Sequence, residues 1–414
     1  MHPEKTVSRN YAIDWLRALA ILMIFCFHSL RFFDLEDWHV KNNHTYFGIQ
    51  VVTAFLGSWG MPLIFVISGA SVFYALGKRR PGAFAQERTL RLFVPLVIGI
   101  FTHVVWQVYL ERLTHGAFHG SFWAFLPHYF AGFYGFGGNF AWMGLHLWYL
   151  EMLLVFSLLF LPLLWWLRRG SGAPLLNKLA LFLARPGRIY WLALPLVLVL
   201  AVANPSNLLF SRAWGGWSLA AYSCFFLYGF LLVSQDALPQ QIQQMRWISL
   251  RTSLGLLLIV FALWSTNGEP TFGTPIYFVF FALLGIHAWC WVLTILGYSR
   301  QHLNFGTPLL GLANEAVLPF YIMHQTVLLT IGYFVVPWAI PDLLKWAVIS
   351  VTAFATIVVL YVVLVRPNNL FRFLFGMRPL PRLSEFATQP VATSDRDPRL
   401  TIGQGQDQES TRPV

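Results

Sequence analysis

Residues 11–33 read YAIDWLRALAILMIFCFHSLRFF, and this stretch decides the fold class. A helix needs roughly 20 predominantly apolar residues to cross a bilayer, and this run supplies them. It is not built as a removable leader. The run is too long for a signal-peptide core, carries Asp14 and Arg17, and lacks a small-x-small cleavage site. Arg17 and His28 stand eleven residues apart, which on an α-helix is about three turns plus 20°. Both therefore lie on one face, roughly 16 Å apart along the axis. Asp14 and Arg31 fall near the same stripe. Ionisable groups inside a span are costly, so each is a functional candidate. Such groups can also pair with one another merely to hold helices together, but a polar seam of this length is more than a purely structural helix requires.

The whole chain has the character of that first stretch. Its 414 residues are 57% hydrophobic and 11% charged, with a mean hydropathy of +0.60. Soluble domains carry about 25% charged residues, so a cytosolic enzyme, a secreted domain and a disordered chain are all excluded. The composition predicts an all-α integral membrane protein, a bundle of about ten transmembrane helices. The spans are expected at 11–32, 49–76, 92–111, 143–167, 189–203, 217–234, 248–265, 275–297, 309–335 and 343–365. With the N-terminus inside, cytoplasmic segments hold 22 of the 28 Lys and Arg. The opposite side holds five (Arg31, Lys41, Arg112, Arg212, Lys345), and Arg17 lies within a helix. That asymmetry predicts both termini in the cytoplasm. The expected organisation is a cytoplasmic N-terminus at 1–10, a transmembrane domain at 11–366, a basic juxtamembrane segment at 367–382 and a disordered cytoplasmic tail at 383–414.

The net charge of +11 does not indicate nucleic acid, because the cations cluster between apolar runs with no recognition motif. The three cysteines are isolated within apolar runs, which argues against a disulfide framework or a zinc site. The histidines are scattered, so no metal site is expected. Ser68-Gly69-Ala70-Ser71 lacks the GxSxG context of a hydrolase and reads as close packing of small residues. Residues 113–141 are rich in aromatics and glycine. They read as an interfacial aromatic belt, or as a re-entrant segment able to stack on sugar rings.

Three further clusters accompany the Arg17–His28 seam. Arg88 and Arg91, at i and i+3 before the third span, share a helix face. Two guanidiniums at a helix N-terminus suit a phosphate, the alternative being simple charge anchoring. His146-Leu147-Trp148-Tyr149-Leu150-Glu151 enters the fourth span, and Glu151 is expected at the depth of His28, where it could orient the imidazole. Glu315, near the inner end of the ninth span, is a candidate partner for Arg17. In the same span Tyr321 and His324 are further buried polar candidates, with Glu315 and His324 on opposite faces.

These elements together resemble the acyltransferase 3 family of membrane O-acyltransferases. The resemblance rests on Arg17 and His28 within Tyr11 to Phe33, Phe65-Val66-Ile67-Ser68-Gly69, Arg88-x-x-Arg91 with Pro95, His146 to Leu150, and Pro319-Phe320-Tyr321-Ile322-Met323-His324-Gln325. Within that family it looks most like the branch of periplasmic-glucan succinyltransferases. The resemblance implies a protein of the bacterial inner membrane with no permanently bound cofactor. Its co-substrate would be cytoplasmic acyl-coenzyme A and its acceptor a hydroxyl of an extracytoplasmic glycan. His28 would serve as general base with Glu151 or another buried polar group orienting it, the alternative being a covalent acyl-histidine intermediate. Arg88 and Arg91 would bind the donor, Arg17 would bind it too or serve in a structural pair, and Asp14, His146, Trp148, Glu315, Tyr321 and His324 would support the site. The rival reading is a polytopic secondary transporter whose buried charges line a substrate or proton path. The two halves of such a transporter should show paired broken helices, and none is evident in the sequence.

Overall fold

The computed structural model describes residues 10–380. The expected tail 383–414 and all of segment 1–10 except Asn10 lie outside the described residues. Among the described residues every regular element is helical. Helix α1 (Tyr11–Leu30) begins where the Asn10 side chain accepts from the Ile13 amide at 3.3 Å, satisfying one of the free N–H groups of the first turn. A polar loop leads to α2 (Phe47–Gly57) and α3 (Gly60–Lys78). Helix α4 (Pro81–Phe101) starts on a proline, whose missing N–H costs nothing at that position. Pro95 inside α4 and the non-helical Thr102 then break the chain, so α5 (His103–Thr114) leaves at 41°.

Helix α6 (Phe122–Tyr129) is short, and a 3₁₀ turn at Leu145–Leu147 leads into α7 (Trp148–Leu159) and α8 (Leu161–Arg169). α9 (Ala173–Leu183) and the short α10 (Ala193–Val197) come next, then α11 (Leu219–Leu232). Four long helices close the bundle: α12 (Ala237–Asn267), α13 (Pro275–His302), α14 (Pro308–Val335) and α15 (Asp342–Leu360), followed by the small α16 (Asn369–Leu374). Both α13 and α14 open with a threonine cap, Thr274 and Thr307, followed by proline.

This is a multi-pass membrane protein. Among the described residues, six segments are long and apolar enough to cross a bilayer: α1, α2 with α3, α12, α13, α14, and α15 with its extension to Val365. Counting three bent pairs as single spans raises the number to nine. The expected span at 189–203 is the most altered. It follows α9 at an angle of 118° and contains only five α-helical residues. The 14-residue α11 rises about 21 Å, short of the roughly 30 Å hydrocarbon core.

Lipid-facing and interior helices separate by burial. Only 17% of the apolar window of α12 is buried, against 56% for α13 and α14. Leu258 and Val351 on the outer helices are therefore exposed apolar residues facing what lipid would cover. Inside, α3 and α11 cross on glycine. A Cβ on Gly69 would lie 1.8 Å from the Phe226 carbonyl oxygen, and one on Gly229 would lie 1.9 Å from that of Val66. Small residues let these backbones touch, as expected where packing rather than water exclusion drives association.

Candidate active site

The polar face of α1 meets α3 and α14, and it divides between two cavities at opposite ends. Arg17 donates to Ser71 Oγ at 2.8 Å and to Asn314 Oδ1 and Asp14 at 3.3 Å each. It lines a cavity of about 520 Å³ walled by α3, α4, α7, α14 and the segment after α15. Six arginines (17, 79, 88, 91, 372 and 378) and two glutamates (87 and 315) line this arginine cavity, so its field favours an anion. Glu87 is held by Arg79 at 2.9 Å, by Arg378 at 3.3 Å and by Arg91 at 3.6 Å. Glu315 pairs with Arg372 at 2.8 Å and with Arg366 at 3.8 Å. Arg88 lies 5.2 Å from the Phe84 ring centre and, among the described residues, has no carboxylate within salt-bridge distance. Its charge is the least compensated in the cavity. Arg91 Nε donates to the Gly376 carbonyl at 3.0 Å. Gly376 sits at φ +67°, and a Cβ there would lie 2.3 Å from the Arg91 carbonyl oxygen, so glycine is required.

His28 lines the second cavity, of about 410 Å³, together with Trp38, Asp37, His39, Glu111, His146, Trp148 and Gln325. His28 Nδ1 lies 2.8 Å from His324 Nε2, and the Nδ1 of His324 meets the Tyr321 carbonyl. The indole of Trp38 is parallel to the His28 ring within 5°, with centres 6.1 Å apart. His146 Nε2 meets the Ile322 carbonyl at 3.1 Å, while Tyr321 Oη donates to the His146 carbonyl. Gln325 donates to Gln107, which reaches both His146 and Thr326.

The loop carrying Trp38 is anchored by ions. Asp34, fully buried, accepts from Arg31 at 2.7 Å, from Lys41 at 2.8 Å and from Thr53 at 3.2 Å. Glu111 accepts from Tyr134 Oη and Arg112 at 2.8 Å each, and is also bonded to His39. Burial and then the Glu111 carboxylate push the Tyr134 phenol well up. At the rim, Asp37 and His115 meet at 3.1 Å. The hydrogen bond from His115 is the main influence holding the Asp37 carboxyl below its usual range. Burial is the largest single influence on His115 and opposes its charge, but the hydrogen bonds to Asp37 and the Glu111 carbonyl, with the charges of both carboxylates, together outweigh it and raise the imidazole.

Several expectations change. Glu151 does not line the histidine cavity. Its Oε2 is buried without a hydrogen-bond partner, and the group facing His28 Nδ1 is His324. Glu315 serves the arginines after α15, not Arg17. Arg88 and Arg91 do not sit at a helix N-terminus. Helix α4 begins seven residues before Arg88, so the free backbone N–H groups belong to the turn at Pro81. The arginine cluster is thus made of side chains alone.

Arg17 and His28 do share the α14-facing side of α1, as the spacing predicts. The two cavities share no lining residue. Tyr149, Leu150 and Tyr321 border one, and His146 and Trp148 border the other, so consecutive residues of one short stretch form the partition. The aromatic segment 113–141 contributes His115, Tyr134 and Ala141 to the histidine cavity, with Trp142 just beyond it, while leaving Trp123 and Phe136 exposed.

Sequence reasoning missed Trp38, His39, Asp37 and Glu111, of which only Glu111 carried a signal, a carboxylate inside an apolar run. Gln325, Ser71 and Asn314 stood in stretches singled out from the sequence, but the cavity role of Gln325 and the bonds of Ser71 and Asn314 to Arg17 did not follow from them.

Residues 10–365 match the family model described as an acyltransferase domain, within the acyltransferase 3 group. No curated protein and no solved structure matches the chain.

Proposed function

Because the chain belongs to the acyltransferase 3 family, we propose that it moves a small acyl group, acetyl or succinyl, from cytoplasmic acyl-coenzyme A to a hydroxyl of an extracytoplasmic glycan. In this reading it lies in a bacterial inner membrane with ten spans, counting α11 as the tenth, and both termini are cytoplasmic. The arginine cavity then opens to the cytoplasm and the histidine cavity to the other side. The carrying observation is that these two cavities abut across the partition at Tyr149, Tyr321 and His146.

The donor's phosphates would meet Arg88, Arg91 and Arg17, since guanidinium–phosphate hydrogen bonds are charge-assisted. The pantetheine arm would pass the partition and bring the thioester towards His28. His28 Nε2 takes the proton of the acceptor hydroxyl as its oxygen bonds to the thioester carbon. The carbon–sulfur bond breaks, the thiolate leaves, and the imidazolium returns the proton to sulfur. An O-acyl ester and free coenzyme A result, with atoms and charge balanced. Trp38, Trp142 and Trp148 offer faces for sugar rings, and Asp37 and Gln325 offer hydrogen bonds to hydroxyls.

Oriented vesicles test the proposal. Labelled acetyl- or succinyl-coenzyme A is supplied to one face and a glucan to the other. Ester should form only when donor reaches the face bearing the C-terminus. Equal transfer from either face would overturn the arrangement, and solute movement without ester would favour the transporter.

A further inference from the structure

The hydrogen-bond chain behind His28 fixes its protons, and we infer that His324 is a positioning residue that selects the reactive tautomer of His28. This rests on His28 being the base. The Tyr321 carbonyl can only accept, so the His324 Nδ1 facing it must carry a hydrogen. A neutral His324 then presents a lone pair at Nε2. That lone pair faces His28 Nδ1 at 2.8 Å, so His28 must donate from Nδ1. The lone pair of His28 is left at Nε2, which has no hydrogen-bond partner among the described residues, on a ring that lines the cavity. A base there can take a hydroxyl proton. With the opposite tautomer it could not, because Nε2 would already be protonated.

The chain is a brace and not a relay. His324 is 1% exposed, and moving a proton onto it would bury an imidazolium already committed at Nδ1 to Tyr321. When His28 gains its proton, the Nδ1–H bond to His324 persists and strengthens because its donor is now charged. Helix α14 supplies the whole brace, since Tyr321 and His324 lie three residues apart and the Tyr321 hydroxyl is tied to His146.

Two amides of the same chemistry separate positioning from structure. In His324→Gln the amide oxygen reaches the place of Nε2 and can still accept from His28. In His324→Asn it stops at the place of Nδ1. Expected is a kcat for the Gln variant within about tenfold of wild type and for the Asn variant lower by about 10²–10⁴-fold, the range over which correct proton placement acts. KM for acyl-coenzyme A should be unchanged in both. Equal turnover of the two variants, or a faster Asn variant, overturns the inference.

Should either variant fail to fold, nitrogen NMR of wild-type protein labelled at histidine, with His28 assigned by its absence in His28→Gln, reads the tautomer directly. A hydrogen on Nδ1 is expected, and a hydrogen on Nε2 in the neutral ring overturns the proposal. A His28→Ala protein with wild-type turnover would instead remove the underlying reading, so the two failures are distinct.

Discussion

The arginine cavity and the histidine cavity differ little in volume, at about 520 and 410 Å³, yet they are built from opposite materials. One is a concentration of guanidiniums with too few carboxylates to neutralise them. The other joins imidazoles, indoles and two carboxylates already occupied by Arg112, Tyr134 and His115. Fixed positive charge suits a polyanion, and it needs little geometric precision because Coulomb attraction is long-ranged. Tautomer-sensitive imidazoles braced by backbone carbonyls suit proton transfer, where placement within hydrogen-bond reach decides the rate. On the proposed function, the comparison becomes a division of labour along a single helix face, with binding assigned to Arg17 and chemistry to His28.

Removing charge from one cavity should leave the other's chemistry intact. Replacing Arg88 and Arg91 together by Ala should raise KM for acyl-coenzyme A by about 10²-fold, roughly 3 kcal/mol for two charge-assisted hydrogen bonds. Turnover at saturating donor should stay within about twofold of wild type. Steady-state kinetics on purified protein measures both, and a fall in kcat with unchanged KM would merge the two roles.

A change in the framework that both cavities share should not discriminate between them. Gly69→Val drives a side chain into the Phe226 backbone beside Ser68 and Ser71, which line the arginine cavity. Overpacking of this kind costs about 1–3 kcal/mol. The yield and thermal stability of folded protein should drop while KM and kcat of the surviving fraction change together or not at all. A selective loss of donor binding would show that the glycine crossing shapes the site itself.

The smallest effect lies at the rim of the histidine cavity. Asp37 is depressed, so its contribution exists above its unfolded pKa of about 3.9 and is lost as pH falls through the folded value. His115 is raised, so its contribution is complete below about 6.5 and is lost as pH rises through the folded value. Both act between about pH 4 and 6.5. Both side chains are substantially exposed, which limits the pair to about 0.2–1 kcal/mol. Asp37→Asn should lower the melting temperature slightly near pH 5.5 and not at pH 8, by thermal unfolding in detergent. An equal loss at both values would assign Asp37 another role.

Legibility followed the range of the interactions. The Arg17–His28 face and the Arg88–Arg91 pair are local periodicities, and helix geometry carries them directly from sequence into space. The start of α4 is written just as locally, in Arg80-Pro81, because proline favours the first helical position, yet the span expected from sequence begins at residue 92 and so places Arg88 and Arg91 at its N-terminus. The His28–His324 contact joins residues 296 apart, and no helical period reports which helix packs on which. Glu151 had the right chemistry but lies outside the histidine cavity. Asp34 falls between the spans expected at 11–32 and 49–76, where a charge carries no signal of its own. Only the folded chain reveals it as the buried centre of a network that holds Trp38 over His28.

The central claim is that one imidazole performs acyl transfer from coenzyme A. Purified wild-type protein and His28→Ala, both shown to be folded by monodisperse elution in detergent, should be given radiolabelled acetyl- and succinyl-coenzyme A with a glucan acceptor. The account predicts label in the glucan ester for wild type and a loss of at least about 10²-fold for His28→Ala. Undiminished transfer by His28→Ala would contradict it.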